Sequence, residues 1–262
     1  MESLFNRNRT GFGTAEWADK NHNIITGCIH NCRYCYSRKK AVETGRITQS
    51  DDWRREQLDQ FKYQSTAIRS HGVVMYPSQH DLSPDFKLQH LETISKLLAA
   101  GNSVLLVTKA HLEMVQAICE RFGNQKDRLL FRITIGSLDR QICSFWEPGA
   151  PQPDERVEAL KYAYTQGYMT SVSAEPMLEG PENMIRLYRT LEPYITNDIW
   201  FGKMNSVRSR IDTSIPAVAA GVKIIEKLQS DANIGRLYEA LKAETKVRWK
   251  ESIQKVVNIM KP

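Results

Sequence analysis

The run Gly27-Cys28-Ile29-His30-Asn31-Cys32-Arg33-Tyr34-Cys35-Tyr36 holds three of the chain's five cysteines within eight residues, in a C-x3-C-x2-C spacing. Thiolates select zinc, copper(I) or iron–sulfur clusters, so three at this spacing point to a soft metal. A [4Fe–4S] cluster presents four irons, and three cysteines leave one of them open. A structural zinc site is the competing reading. It requires a fourth donor, and His22 or His30 is close enough in sequence to supply one. Zinc sites, however, pair two separated ligand knuckles, and no second knuckle exists here. An odd total of five cysteines also argues against a disulfide framework.

The chain's 262 residues are 41% hydrophobic and 25% charged, a soluble globular composition. That length supports one large domain, or one domain with an appendage, and buries a core without staples. No apolar run reaches the roughly 18 residues of a membrane span. Met1 to Arg7 lacks the apolar centre of a signal peptide. A cytoplasmic location is therefore expected, and its reducing conditions suit free thiols and an oxygen-labile cluster. The net charge is +6, and from Lys203 onward 12 Lys+Arg face 6 Asp+Glu, so the whole surplus lies in the tail. A basic tail marks either a polyanion partner or a solvated helix face.

Beyond the cysteines, strand and helix patterns alternate. Ile24-Ile25 reads as a first strand. Asp51 to Arg69 reads as an amphipathic helix capped by Ser50 or Asp51, with Trp53, Leu58 and Phe61 as its apolar stripe. Strands follow at Gly72–Tyr76, Ser103–Val107, Leu129–Ile135, Met169–Ala174 and Ile199–Lys203. Helices are expected at Phe86–Ala100, Leu112–Phe122, Asp154–Gln166 and Pro181–Leu191, with Gly101, Gly123 and Gly167 as stops. Such alternation means a parallel sheet with helices packed outside. Its six units end near residue 205, short of the eight of a closed barrel. From Ile211 to Pro262 the apolar spacing is helical, predicting two or three helices. There Lys242, Lys246 and Lys250 recur every four residues and would line one helix face.

The cysteine run, with the aromatic Tyr34 before its third cysteine, closely resembles that of the radical S-adenosylmethionine (SAM) superfamily. Val107-Thr108-Lys109, Glu147-Pro148-Gly149-Ala150-Pro151 and Ser173-Ala174-Glu175-Pro176 look like the spore photoproduct lyase branch. Trp17-Ala18-Asp19 ahead of Asn23-Ile24-Ile25-Thr26-Gly27-Cys28 is similar to phage-encoded radical SAM proteins of unassigned function. The resemblance implies an α/β fold, a partial (β/α)6 barrel with a C-terminal helical extension. The boundaries would be 1–16 for an N-terminal extension, 17–210 for the barrel and 211–262 for a helical segment packed on it. It further implies a [4Fe–4S] cluster whose open iron binds the amino and carboxylate groups of SAM. Reductive cleavage would then yield a 5′-deoxyadenosyl radical that abstracts hydrogen from a substrate. An electron donor such as flavodoxin or ferredoxin is the implied partner. Branch and basic tail together favour a nucleic acid or nucleotide substrate, with a peptide or small molecule as the alternative. A zinc-dependent nucleic-acid-binding module without catalysis is the non-enzymatic reading.

In parallel barrels ligands bind at the carboxyl ends of the strands, and here all six ends are polar. Under the resemblance Cys28, Cys32 and Cys35 ligate the cluster. Tyr34 lies where the superfamily sets an aromatic against adenine, and Ser78 and Gln79 occupy the loop that contacts the SAM amino group. Lys109 is the charged donor for the SAM carboxylate. Thr134 and Ser173 are positioned for ribose hydroxyls, Glu175 for ribose, the sulfonium surroundings or substrate, and Asn205 for the adenine side. His80 and Asp81 are substrate candidates, with helix capping as the other role for Asp81. Lys246 and Lys250 are candidates for successive phosphates. Cys119 reads as core, and Cys143 as a candidate hydrogen-atom donor, the role a cysteine plays in spore photoproduct lyase.

Overall fold

The computed structural model describes residues 4–6, 11, 13–65 and 72–260. After a 3-10 turn at Gly13–Glu16 come β1 (Lys20–Asn21), β2 (Ile25–Thr26) and, past the cysteines, α1 (Tyr36–Glu43). A 3-10 turn at Ser50–Arg54 leads to β3 (Gln57–Leu58) and α2 (Gln60–Gln64). The alternating body comprises β4 (Val73–Tyr76), α3 (Lys87–Ala99), β5 (Ser103–Thr108), α4 (Leu112–Arg121) and β6 (Leu129–Thr134). It continues through α5 (Arg140–Trp146), α6 (Pro153–Thr165), β7 (Met169–Ala174), α7 (Pro181–Leu191) and β8 (Ile199–Phe201). The tail forms α8 (Val207–Arg210), α9 (Pro216–Leu228), α10 (Asp231–Leu241), β9 (Val247–Trp249) and α11 (Glu251–Met260).

Seven strands form one parallel sheet in the order β1-β4-β5-β6-β7-β8-β9. Its ends do not meet, leaving β1 and β9 as free edges of a partial barrel. Alternate side chains point to opposite faces of a strand, and both faces here are covered, as parallel sheets require. Val74, Tyr76, Val104, Leu106, Phe131, Ile133, Val172 and Phe201 pack outward beneath the helices in the main core. On the inner face Val73, Met75, Leu105 and Leu130, with Val107, Met169 and Trp200 at its margin, meet Phe5, Trp17 and Ala18 of the N-terminal segment. That segment fills the lumen below the strand ends.

Three expectations are corrected. Ile24-Ile25 does not open the sheet: the ladder runs through Lys20–Asn21 and closes with the His22 N–H donating to Met75 O at 3.0 Å. Ile24 and Ile25 are core residues, but their backbone is engaged elsewhere, with Asp59 N–H donating to Ile24 O at 2.7 Å and β2 pairing antiparallel with β3. The helix expected from Asp51 to Arg69 breaks into a 3-10 turn, β3 and α2, with 66–69 outside the described residues. The Asp59 carboxylate caps Lys62 N–H and starts a new helix, while Trp53 turns inward beneath the cysteine loop. Finally, the tail is not purely helical. Val247-Arg248-Trp249 pairs with Ile199–Phe201 as the seventh strand, which takes Lys242, Lys246 and Lys250 off any common helix face.

Candidate active site

The cysteine loop enters through Gly27, whose φ of 99° and whose approach to the Arg55 carbonyl, 2.5 Å from where a Cβ would lie, exclude other residues. Cys28 N–H donates to Trp53 O at 2.8 Å, and Cys35 N–H to Cys32 O at 3.1 Å. Cys35 caps α1, its sulfur accepting from Arg38 N–H at 3.4 Å. The buried Arg38 guanidinium knits the loop together, donating to Asn31 Oδ1 at 3.0 Å and Arg33 O at 2.8 Å. Arg33 donates to the end of α5, from Nε to Phe145 O at 2.6 Å and from its backbone to Trp146 O at 2.9 Å. Gly149 N–H in turn donates to His30 O at 3.0 Å. The Glu147–Pro151 phrase is therefore a wall of the cysteine loop.

Cys28 and Cys32 are buried, while Cys35 is half-buried. Burial, with Asp81 next, lifts the Cys28 thiol well above its ordinary range; burial pushes Cys32 up to about 12 against the pull of Lys109. Such thiols stay protonated until a cation displaces the proton, as metal binding does. Among the described residues no three His, Cys, Asp or Glu side chains converge on one ion position. Three soft thiol donors are the set that holds an iron–sulfur cluster, whereas a structural zinc site needs a fourth. His30, one candidate for that fourth donor, has its Nε2 3.1 Å from His111 Nε2 and its Nδ1 3.3 Å from the Asp81 carboxylate. The donor set thus fits a cluster held by Cys28, Cys32 and Cys35.

Beside Cys32 lies a buried charged network. Lys109 Nζ is 4.0 Å from Glu147 Oε1 and 5.7 Å from the centre of the Tyr34 ring. Arg156 Nη2 lies 2.5 Å from Glu147 Oε2, and the Tyr34 hydroxyl donates to the same carboxylate. Burial alone would raise the Glu147 carboxyl, but Arg156 and Lys109 hold it below its ordinary range. Burial likewise disfavours the Lys109 ammonium, and Cys32, Glu147 and Asp81 outweigh that effect, raising its pKa. Glu147 and Arg156 were absent from the sequence-derived set. The phrase containing Glu147 was visible there, but nothing in it announced an ion pair with a helix residue nine positions on.

Asn23, also missed, secures the Ser78–Gln79 loop. Its Oδ1 accepts from Ser78 N–H and Gln79 N–H, both at 2.8 Å, and its Nδ2 donates to Ser78 Oγ at 2.9 Å. The Tyr36 hydroxyl, next to Cys35, donates to Ser78 O at 2.8 Å. Thr134 and Ser173 are register partners on β6 and β7, on the lumen side by strand alternation. Asn205 is exposed in the turn beyond β8.

Several candidates do not face the lumen. His80 is buried, its Nε2 accepting from Ile24 N–H at 3.2 Å and its Nδ1 donating to Asp81 O at 2.9 Å, so it offers no atom to a substrate. Asp81 is neither a substrate contact nor a helix cap. It accepts from Leu82 N–H at 2.8 Å, Lys109 N–H at 3.0 Å and the Thr108 hydroxyl, and pairs with His30. Lys246 is engaged by Glu192, 2.7 Å from its carboxylate. Lys250 is buried, 2.9 Å from Glu16 and 3.4 Å from Glu175, and is no phosphate contact. Cys143 is 1% exposed and packs against Trp146, Leu178 and Val222, with its thiol toward Ser137 O at 3.5 Å. A hydrogen-atom donor to substrate would have to reach the lumen, and this thiol does not. Cys119 lies in the core, as its apolar neighbours predicted.

No protein-family model matches the chain. In sequence it is similar to uncharacterized protein ORF301 of Acidianus two-tailed virus, 28% identical over 176 residues that span 63% of this chain and 57% of that one. In structure it is similar to spore photoproduct lyase complexed with dinucleoside spore photoproduct, at a TM-score of 0.53 and 18% identity, over 85% of this chain and 63% of that one. It is also similar to Streptococcus suis SuiB bound to precursor peptide SuiA, at a TM-score of 0.57 and 12% identity, over 92% of this chain and 50% of that one. Both are radical SAM enzymes. The fold is that of radical SAM enzymes. A viral sequence relative also accords with the expected likeness to phage-encoded proteins. The chain spans 50–63% of the length of these proteins.

Proposed function

We propose that the chain is a radical SAM enzyme that holds a [4Fe–4S] cluster on Cys28, Cys32 and Cys35 and binds SAM at the strand ends. The observation that carries this reading is a loop of three thiols, walled by buried charge, in a fold shared with radical SAM enzymes. The cluster, when bound, supplies the electron that cleaves SAM to a 5′-deoxyadenosyl radical.

The chain's own residues do the binding and positioning. Lys109, kept charged beside Cys32 and Glu147, would offer its ammonium to the carboxylate of SAM. The Ser78–Gln79 loop, clamped by Asn23 and Tyr36, presents fixed backbone groups to an amino group. Thr134 and Ser173 offer hydroxyls for a ribose. Trp17, Phe5 and the apolar side chains packed around them fill the lumen and keep water from the reacting centre.

For the substrate class, spore photoproduct lyase holds a dinucleoside and SuiB a peptide. The basic tail no longer favours the first, because Lys246 and Lys250 are engaged within the protein. A nucleotide substrate rests on the likeness to spore photoproduct lyase, and a peptide on the likeness to SuiB. An electron donor such as flavodoxin or ferredoxin completes the proposal. The test is anaerobic reconstitution with iron and sulfide, then dithionite and SAM. Release of 5′-deoxyadenosine and methionine is expected. A colourless zinc protein that leaves SAM intact would contradict it.

A further inference from the structure

Lys250 is the first residue beyond β9, one free edge of the sheet, and Glu16 lies four residues before β1, the other free edge. Its ammonium lies 2.9 Å from Glu16 Oε1, donates to Gly13 O at 2.8 Å and sits 4.2 Å from the centre of the Trp17 ring. The same ammonium is 3.4 Å from Oε2 of Glu175, the residue that follows β7. One buried cation therefore gathers both edges of the open barrel and an interior strand end. Gly202 enforces the contact: a Cβ there would lie 2.8 Å from Glu175 Cγ and 3.0 Å from Lys250 Cγ. Within the trio Glu175 is the accessible member, with 22% of its side chain exposed against 9% for Glu16 and 3% for Lys250.

We propose that Lys250 is a positioning residue of the barrel mouth, which holds the Glu175 carboxylate in place to accept from bound SAM. This rests on the reading of the chain as a SAM-binding protein. The accessible Glu175 carboxylate is an acceptor suited to the hydroxyl groups of SAM. Burial raises the Glu175 pKa and Glu16 adds to this, while Lys250 and the more distant Arg210 lower it. Without Lys250 the two carboxylates would share a buried site with no cation, and Glu175 would take up a proton at higher pH.

The experiment measures SAM affinity of the anaerobically reconstituted full chain by titration calorimetry between pH 6 and 8.5. In the parent the affinity is expected to vary little across that range. Lys250→Met is expected to lose roughly 10-fold or more at pH 6, the scale of a lost charged hydrogen bond, and to recover toward pH 8.5. In a Glu175→Gln background that pH dependence should vanish, and Lys250→Arg should keep the parent's profile. A merely structural role predicts an equal loss at every pH, with or without Glu175, and would overturn the proposal, as would parental binding by Lys250→Met. If Lys250→Met does not fold, Glu16→Gln decides. It leaves one cation to one carboxylate and should bind SAM at pH 6 at least as tightly as the parent, and weaker binding would overturn the proposal. A parent that holds the cluster but binds no SAM overturns the underlying reading instead.

Discussion

Asp81 shows what a carboxylate at a strand end does when the fold claims it. Its two oxygens accept from Leu82, Thr108 and Lys109 and face His30, so one side chain ties the ends of β4 and β5 to the cysteine loop. Burial opposes its charge, but His30 and Lys109 hold the carboxyl far below the ordinary range. Asp81→Asn keeps the shape and removes the charge opposite His30. The charge-assisted hydrogen bonds so weakened are worth about 3 kcal/mol, so urea unfolding of the metal-free protein should show a stability loss of that order. A loss below about 1 kcal/mol would place Asp81 among ordinary polar contacts. Residue identity was legible in the sequence at the cysteines, where three thiols at short spacing have few other uses. At His80, Asp81 and Cys143 it was not, because a polar residue at a strand end looks the same whether it faces the lumen or bonds backward into the core. Glu147 and Arg156 escaped for the converse reason: their significance is a pairing that only the packing of α6 against the cysteine loop creates.

At the scale of elements, β4 and α3 enclose a pair of stacked imidazoles, His80 and His90, with ring centres 5.7 Å apart. Burial is the main cause that lowers His80 to about 4 and His90 to about 3. Unfolded, each would titrate near its ordinary value of 6.5. Below that pH the unfolded chain takes up protons that the folded chain refuses, so stability is full at neutral pH and falls as the pH drops toward 4. At pH 5 the loss is about 2 kcal/mol per histidine. Urea midpoints at pH 7.5 and 5 should show this fall, and His90→Phe should make it shallower; a midpoint unchanged between the two would contradict the assignment. The elements themselves were readable where they are long. Strands β4 to β8 and helices α3, α4, α6 and α7 carry clear periodicity, and glycine or proline marks several of their ends. The edge strands β1 and β9, of two and three residues, are too short to show a period. The capping carboxylate of Asp59 hid inside an apparently continuous amphipathic stretch.

For the whole molecule, a basic tail suggested a polyanion. The fold redistributes that charge: Lys246 pairs with Glu192, Arg208 with Glu226, Arg236 with Glu182, Lys242 with Glu239 and Lys250 with two carboxylates. Lys246→Ala should therefore leave the salt dependence of any oligonucleotide binding unchanged. A drop of roughly 0.7–0.9 in the log–log slope, one phosphate's share, would return Lys246 to a nucleic-acid surface. No helix among the described residues is long and apolar enough to cross a membrane. What the whole molecule does protect is the region from the cysteine loop to the strand ends, walled by the Glu147 network on one side and by the Lys250 cluster at the open seam. The central claim is that this region holds a cluster on three thiols. Iron and acid-labile sulfide per chain, measured after anaerobic reconstitution of the parent, Cys32→Ala and Cys119→Ala, test it most directly. Four of each are expected in the parent and in Cys119→Ala, the complement of one [4Fe–4S] cluster, with Cys32→Ala losing most of both. Stoichiometric iron and sulfide retained in Cys32→Ala, or lost equally from Cys119→Ala, would contradict the account.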